Sequence, residues 1–349
     1  MKTQVFRIAD AEKQREEIVA AAEIIRGGGL LGIPTETVYG LGANGLDPAA
    51  VQNIFAAKGR PQDNPLILHV PGADWLERYC RDIPAAAYTL AERFWPGPLT
   101  MILPRREVVP DVTTGGLDTV GVRCPDHPVT LAIIREAGVP VAAPSGNRSG
   151  RPSPTCARHM IEDMDGRIEA IVDGGACGVG VESTIIDLTG EMPRLLRPGG
   201  LPLESLREVL GEIAVDKAVI APLSAGEKPR APGMKYRHYA PKAPVTVLTG
   251  ESDRTARYIR EHLQERTGVI CFAEYQDDFP ECVVKSIGSA SDKAEQARRV
   301  FDALRAFDAT DVTVIYAQCP GDDGLGLAIA NRLKKAAGFQ VIDLKEDMP

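Results

Sequence analysis

The stretch DPAAVQNIFAAKGRPQDNPLILH, residues 47–69, places a helix, a turn and a strand in succession. Asp47 followed by proline is a typical helix start, because the carboxylate caps backbone N–H groups and proline fits the first helical position. Gly59 marks the expected helix end, and the apolar run up to His69 predicts a strand. The residues predicted to share one helical face are Val51, Ile54 and Phe55. The stretch therefore predicts an α/β fold.

Helix and strand signals continue to alternate on both sides of this stretch. Asp10 is predicted to cap a helix that stops at the glycines 27–29, and Asp126 with Pro128 is predicted to open another. A twisted mixed sheet with helices is predicted to end near Gly211. The strand-like runs that support it are PVAAP (140–144), EAIVD (169–173), STIIDL (183–188) and PRLLR (193–197).

The second half changes character after residue 212. Prolines, glycines and cations with little periodicity predict a linker over 213–243, and a smaller Rossmann-like, largely parallel α/β domain is predicted over 244–349. Its predicted helices span 252–266, 292–307 and 325–337. The middle one should bury one face, formed by Ala294, Ala297, Val300, Phe301, Leu304 and Phe307. The first domain is accordingly assigned to residues 1–212.

Composition narrows the class of protein. The chain of 349 residues is long enough for two domains, has no apolar run near the roughly 18 residues that span a bilayer, and begins without the apolar core of a signal peptide, so we expect a cytoplasmic protein. Its seven cysteines include no C-x-x-C pair, which argues against a disulfide framework or a zinc site. The net charge of −8 argues against coating nucleic acid by bulk electrostatics.

The sequence does not fit either of two common nucleotide-binding patterns, the dinucleotide-binding glycine motif and the P-loop. Residues 40–45, GLGANG, match G-x-G-x-x-G, but the next helix waits until Asp47 and no acidic residue ends a strand about 20 positions later. The chain has no G-x-x-x-x-G-K-[ST] loop and no G-x-S-x-G elbow, so neither a P-loop nor a serine nucleophile is expected. The glycines of residues 40–45 are interpreted as a tight turn.

Arginines recur where strands end or glycine-rich turns begin. Backbone N–H groups at such places can meet anions, and arginine forks bind phosphate and carboxylate. Lys58 and Arg60 taken alone could be solvated or could cap carbonyls at a helix end. Five such positions in an acidic chain instead predict a local site for a triphosphate, or for a phosphate and a carboxylate together. These positions are Arg60, Arg123, Arg148, Arg151 and Arg197.

Residues 34–43, PTETVYGLGA, offer Thr35, Glu36 and Thr37 at a strand end, while Tyr39 is predicted to pack in the core. This segment is the first of several motifs that together resemble the YrdC-type threonylcarbamoyl-AMP synthases. The others are KGRPQDNPLILH (58–69), FWPGPLT (94–100), VGVRCPDHP (120–128), AAPSGNRSGRPSPT (142–155), ESTIIDL (182–188) and LRPGG (196–200).

The linker string PGMKYRHYAP (232–241) and the appended domain resemble the long, two-domain branch of that family. One departure is Gly146, where the family usually has alanine, and it should leave the loop working. The resemblance implies that L-threonine, bicarbonate or carbon dioxide, and ATP give threonylcarbamoyl-AMP and pyrophosphate, the first step of tRNA threonylcarbamoyladenosine (t6A) modification. It implies Mg²⁺ with ATP, no metal held by the protein itself, and downstream tRNA-modifying proteins as partners, with no membrane and little direct nucleic-acid binding.

The resemblance also implies roles for individual residues. Lys58 and Arg60 are the expected catalytic residues, on the phosphates. The expected L-threonine contacts are Thr37, His69, Arg123, Ala143 through its backbone, and Ser183. The expected ATP contacts are Arg60, Asn64, Thr119, Ser145, Ser153, Arg197, Tyr236 and His238, the last two closing the linker as a lid.

Two other interpretations remain open. A module that binds structured RNA through a basic face would need no chemistry. The carbamoyl-transfer domain of hydrogenase maturation factors shares the implied fold, but it should come with C-x-x-C pairs and an acylphosphatase-like segment, which the sequence does not show.

Overall fold

The computed structural model describes residues 2–221, 229–232 and 238–344. The chain forms two compact units. Unit 1 comprises Met1–Ser149, Pro154–Gly178 and Glu182–Lys235, and unit 2 comprises Gly150–Ser153, Val179–Val181 and Tyr236–Pro349. None of the helices in the described part combines the length and apolar character that crossing a bilayer requires.

Unit 1 is built on a mixed sheet. Its strands are β1 (Gln4–Arg7), β2 (Leu31–Ile33), β3 (Gly40–Asn44), β4 (Ile67–His69), β5 (Leu99–Pro104), β6 (Thr119–Arg123), β7 (Val141–Ala142), β8 (Ala170–Asp173), β9 (Thr184–Asp187), β10 (Arg194–Arg197) and β11 (Ala214–Val215). Its helices are α1 (Arg15–Arg26), α2 (Pro48–Lys58), α3 (Leu76–Tyr79), α4 (Ala85–Phe94), α5 (Asp111–Thr114), α6 (Pro128–Ala137), α7 (Ala157–Met164) and α8 (Leu203–Leu210). Over the described residues the strand order is β1-β8-β2-β3-β7-β4-β6-β5-β9-β10-β11.

Helix starts show where local signals succeed and fail. Asp47 accepts hydrogen bonds from the backbone of Ala49 (2.9 Å) and Ala50 (3.3 Å), and Gly59 ends α2 with φ 64°, as predicted. The Asp10 prediction is wrong: α1 begins after Gln14, and the Asp10 carboxylate caps only the preceding turn.

The predicted start of α6 is half correct. Pro128 does occupy the first helical position, but the residue before it is His127 and no side chain caps this helix, so Asp126 is not its cap. Pro128 therefore located the start of the helix, whereas Asp126 did not. The four predicted strand runs at 140–144, 169–173, 183–188 and 193–197 are confirmed as β7, β8, β9 and β10.

The described part of the segment 213–243 divides between the units. Residues 214–215 form β11 beside β10, and Ala218 and Ala231 join a buried apolar cluster of unit 1. The cluster consists of Ile67, Ile102, Ile185, Leu196, Ala218 and Ala231. The segment that includes Ala231 therefore covers one face of the unit 1 sheet at β4, β5 and β9.

Unit 2 carries a parallel five-stranded sheet in the described residues, ordered β14-β13-β15-β12-β16. Its strands are β12 (Val245–Thr249), β13 (Thr267–Cys271), β14 (Val283–Ser286), β15 (Val314–Gln318) and β16 (Val341–Asp343), and its helices are α9 (Ser252–Glu261), α10 (Lys293–Ala306) and α11 (Gly326–Ala336). The prediction of a smaller, parallel α/β domain is confirmed. Helix α9 ends five residues early, and Ala294 is exposed in the first turn of α10 rather than buried.

Candidate functional site

One row of residues crosses five neighbouring strands of unit 1 in register. His69 of β4 pairs with Arg123 of β6, Arg123 with Thr100 of β5, Thr100 with Ile185 of β9, and Ile185 with Arg197 of β10. Directly paired residues project to the same side of a sheet. The row therefore brings two predicted threonine contacts and the predicted nucleotide contact Arg197 onto one face.

A buried ion pair lies at this row. The Glu36 Oε2 and Arg123 Nη2 atoms are 2.6 Å apart, and the side chains are 11% and 5% exposed. The contact joins the charges without an aligned hydrogen bond, because both Glu36 oxygens and Arg123 Nη2 lack a hydrogen-bond partner among the described residues. Buried polar groups normally have such partners, so this pair has bonding capacity for a ligand.

The neighbours of the pair are uncharged or hydroxyl-bearing. Thr37 is fully buried, and its hydroxyl lies 2.8 Å from that of Thr35. Burial, and then the charge of Arg123, lower the pKa of His69 to about 3, so its imidazole is neutral at pH 7. Tyr39 is fully buried, as predicted, and its hydroxyl bonds Gly174 and Gly175 backbone. Arg123 is therefore a cation paired with one carboxylate and next to the neutral imidazole of His69.

Ser183 lies at the same end of the face. Its hydroxyl is 2.8 Å from that of Thr100 and accepts a 3.2 Å hydrogen bond from Arg197. Arg197 also donates to the Ser183 carbonyl (2.9 Å) and to the Pro232 carbonyl (3.3 Å). Arg197, expected on the nucleotide, is thus placed against Ser183 and the covering segment 229–232.

The side chain of Lys58 binds the backbone of the loop that follows β7. Its ammonium donates to the carbonyl of Ser145 (2.5 Å) and to that of Asn147, and the Ser145 hydroxyl donates to the Asn147 side chain (2.6 Å). Just before this loop, the Ala143 N–H donates to the Ile67 carbonyl (3.0 Å), which leaves the Ala143 carbonyl as its backbone group for a ligand. Lys58 therefore fixes the backbone on which Ser145 sits.

The starts of β4 and β6 lie away from His69 and Arg123, which end these strands. Arg60 and Asn64 precede β4, and Thr119 begins β6. The Arg60 guanidinium donates to the carbonyls of Asn64 (3.5 Å) and Pro65 (3.3 Å). Asn64 is fully buried, yet neither its amide nitrogen nor its oxygen has a hydrogen-bond partner among the described residues. Thr119 starts β6 and is four residues, about 13 Å, from Arg123 on the same face. Thr119 and Arg123 therefore mark two separated ends of β6 on this face.

Two of the predicted ATP contacts belong to unit 2, and a third is not among the described residues. Ser153 is fully buried and, like His238, belongs to unit 2, where the rings of His238 and Tyr239 are 5.5 Å apart. Tyr236 lies outside the described residues. The lid prediction for Tyr236 and His238 stays a prediction.

Sequence reasoning passed over Glu36 and His127 as site residues. His127 is partly buried, burial lowers the pKa of its imidazole, and its Nδ1 has no hydrogen-bond partner in the described part. A charged residue between two threonines at a strand end was the available signal for Glu36. No group of three or more His, Cys, Asp or Glu side chains in the described ranges could hold a metal ion.

Together these features define an α/β protein with a polar candidate binding face in its first unit. Residues 23–199 match the model of the Sua5, YciO and YrdC proteins, described as telomere recombination. Residues 201–338 match a model described as threonylcarbamoyl-AMP synthase, C-terminal domain. The chain belongs to the Sua5–YciO–YrdC family, which confirms the resemblance seen in the sequence.

Individual relatives extend over nearly the whole chain. The threonylcarbamoyl-AMP synthases of Pyrococcus abyssi and Bacillus subtilis are 51% and 48% identical to it, over 93% of this chain and 95% and 94% of their own lengths. The solved structure of P. abyssi Sua5 complexed with L-threonine has a TM-score of 0.89 at 47% identity and covers 99% of this chain and 100% of that one. The names of these relatives indicate that the chain is an enzyme.

Proposed function

We propose that this chain condenses L-threonine, carbon dioxide or bicarbonate, and ATP into L-threonylcarbamoyl-AMP and pyrophosphate, a nucleotidyltransferase reaction. The observation that carries the proposal is that two separate buried polar groups of unit 1 have unused hydrogen-bonding capacity, the Glu36–Arg123 pair at the end of β6 and Asn64 before the start of β4. An amino acid and a nucleotide are the two ligands that such separate groups would hold. The names of the relatives over the full length support the same reaction.

At the amino-acid end, Arg123 pairs with the threonine carboxylate. Charge-assisted hydrogen bonds of this kind contribute about 1.5–3 kcal/mol each. The neutral imidazole of His69, the hydroxyls of Thr37 and Ser183, and the Ala143 carbonyl supply uncharged donors and acceptors for the amine and the side-chain hydroxyl.

At the nucleotide end, Arg60 neutralises phosphate charge, and Asn64, Thr119 and Ser145 orient the nucleotide. Lys58 acts on the phosphates through the loop that it holds as well as through its charge. Arg197 completes the nucleotide contacts of unit 1. Mg²⁺ would come with ATP and would supply positive charge to the phosphates.

The reaction needs alignment more than covalent help. The neutral threonine amine attacks carbon dioxide to give a carbamate, whose oxygen then attacks the α-phosphorus while the bond to pyrophosphate breaks. Both partners are anionic, so fixed cations and oriented donors lower the barrier. The product is the activated group for modification of the adenosine next to the tRNA anticodon, and downstream transfer proteins would receive it.

The linker acts as a lid, with Tyr236 and His238 closing over the nucleotide. Supporting this, the described residues 229–232 already cover the face: Ala231 packs on Ile67 and Ile102, and Pro232 accepts a hydrogen bond from Arg197. A chain that ends after residue 232 should stay folded but use ATP less well, whereas one that ends after residue 212 should also lose stability, because it uncovers the apolar cluster. Equal ATP kinetics of the full chain and the chain ending after 232 would contradict the lid.

The direct test is to incubate the protein with ATP, Mg²⁺, L-threonine and bicarbonate and to measure pyrophosphate. We expect release that requires both threonine and bicarbonate, with threonylcarbamoyl-AMP identified by mass spectrometry. No pyrophosphate, or release independent of threonine, would overturn the proposal.

A further inference from the structure

We propose that Glu36 is a catalytic residue: together with Arg123 it receives the zwitterion of threonine, and its carboxylate takes the proton that the ammonium must lose before it can capture carbon dioxide. This inference rests on the proposed function and deepens it. Glu36 is not among the site residues that the family resemblance implies.

The first step of the argument is complementarity. An amino acid in water carries a carboxylate and an ammonium on neighbouring carbons, so its receptor needs one positive and one negative group side by side. Glu36 and Arg123 are such a pair, 2.6 Å apart and buried. A zwitterion between them would place its carboxylate on the guanidinium and its ammonium on Glu36.

The second step is unused bonding capacity. Both Glu36 oxygens and Arg123 Nη2 are buried and lack a hydrogen-bond partner among the described residues, although leaving such groups unmatched costs about 1–3 kcal/mol or more for each. A contrasting pair on the same unit, Arg15–Glu136, is more exposed, at 66% and 21%, and does form a hydrogen bond, at 2.5 Å. The unmatched geometry at Glu36 is thus a local feature, and a bound zwitterion would satisfy it.

The third step is the proton balance. Threonine enters as R–NH3⁺, and Glu36–COO⁻ accepts one proton to give R–NH2 and Glu36–COOH. The nitrogen lone pair then forms the C–N bond with carbon dioxide, one C=O π pair moves onto oxygen, and the second nitrogen proton passes to water. The product is the carbamate R–NH–COO⁻, and Glu36 returns its proton to solvent after turnover.

The titratable groups that face Glu36 are few. Arg123 comes from β6, Cys124 from the end of that strand, His127 from the start of α6, and Cys177 from the loop after β8. Burial raises the pKa of both thiols and lowers that of His127, so at pH 7 all three are uncharged. Glu36 is therefore the group of this cluster to which we assign the role of base.

The test compares Glu36→Gln with Glu136→Gln, which removes a carboxylate from the exposed arginine pair. We expect Glu36→Gln to lower threonine-dependent pyrophosphate release by about a hundredfold at pH 7, and the loss to shrink as pH rises and free amine becomes available, by about tenfold per pH unit. The threonine KM should rise while the ATP KM stays. Glu136→Gln should behave as wild type.

Wild-type turnover in Glu36→Gln, or a loss that is the same at every pH, would overturn the assignment, since holding Arg123 in place would not produce a pH-dependent rescue. If this variant does not fold, Glu36→Asp decides: a lower kcat with the wild-type pH optimum supports the proposal, and an unchanged kcat contradicts it. Calorimetric titration of L-threonine without ATP keeps the two proposals apart, because threonine binding that Glu36→Gln weakens supports the zwitterion pair even if wild type releases no pyrophosphate.

Discussion

Lys58 and the Glu36–Arg123 pair are both buried charges of unit 1, but they are satisfied in opposite ways. The Lys58 ammonium donates to two backbone carbonyls, those of Ser145 and Asn147. Glu36 and Arg123 hold each other by charge and leave hydrogen-bonding atoms unmatched. Desolvation makes an unmatched buried charge costly. Lys58 therefore holds the backbone of a loop in place, whereas Glu36 and Arg123 keep hydrogen-bonding capacity for a ligand.

The largest effect should come from Arg123→Met. Threonine-dependent turnover should fall by about a thousandfold, since the carboxylate loses its fixed cation. Leaving Glu36 buried without a partner should also lower the free energy of unfolding by about 3–5 kcal/mol. Urea titration and pyrophosphate release measure the two effects.

The double variant Arg123→Met with Glu36→Gln serves as the control. It should regain stability, because no unpaired charge is left, without regaining turnover. Recovery of turnover in the double variant would mean that the pair has no part in binding.

Arg60→Ala should reduce adenylate formation by about a hundredfold, the scale for one aligned cation at the transferred phosphate. The unfolding midpoint should change little, because Arg60 is half-exposed and its contacts with the Asn64 and Pro65 carbonyls are long. Unchanged pyrophosphate release by a folded variant would remove Arg60 from the site.

Asn64→Leu should separate binding from stability. It removes a buried amide with no partner in the described structure, so the free energy of unfolding should rise by about 1–2 kcal/mol while ATP affinity falls about tenfold. The matched control is Asn44→Leu, which should destabilise, because Asn44 accepts a 3.0 Å hydrogen bond from Leu46. Calorimetry with ATP and thermal unfolding of both variants would check this, and a destabilised Asn64→Leu with normal ATP affinity would contradict it.

The last prediction concerns the pH dependence of stability that His69 produces. Its pKa is lowered to about 3 in the folded state, so the unfolded chain binds more protons below about pH 6.5 and stability falls as pH decreases. Between pH 7.5 and pH 5 this residue should remove about 2 kcal/mol of unfolding free energy. In His69→Gln that component should vanish in urea titrations at the two pH values. The same pH dependence in both proteins would show that His69 is not a buried neutral group.

Local sequence patterns predicted the presence of helices and strands better than they predicted the residues at which these elements begin and end. The proline after Asp47, the glycine that ends α2 and the apolar runs of unit 2 predicted real helices and strands. Asp10 failed because the Gln14 side chain accepts from Ala9 (2.8 Å) and extends the turn, so the helix starts later. Several neighbouring polar side chains can accept from the backbone N–H groups at a helix start. Residue spacing alone does not determine which of them does so.

The resemblance of sequence motifs predicted the residues of the candidate site. It did not predict which of their polar atoms have hydrogen-bond partners in the fold. Nothing in the segment 34–43 indicates that Glu36 meets Arg123, because that contact depends on where the folded sheet places the connection between β2 and β3 relative to the end of β6. The same holds for Lys58, whose sequence neighbours give no hint of the carbonyls of Ser145 and Asn147. Long-range register decides which polar residues are satisfied by the fold.

The most direct measurement is a crystal structure of the full chain with L-threonine and a non-hydrolysable ATP analogue. The account predicts the threonine carboxylate on Arg123, its ammonium against Glu36, and the phosphates at Arg60 with the nucleotide reaching Asn64. Ligands bound elsewhere, with the Glu36–Arg123 contact intact and Asn64 still without a partner, would contradict it.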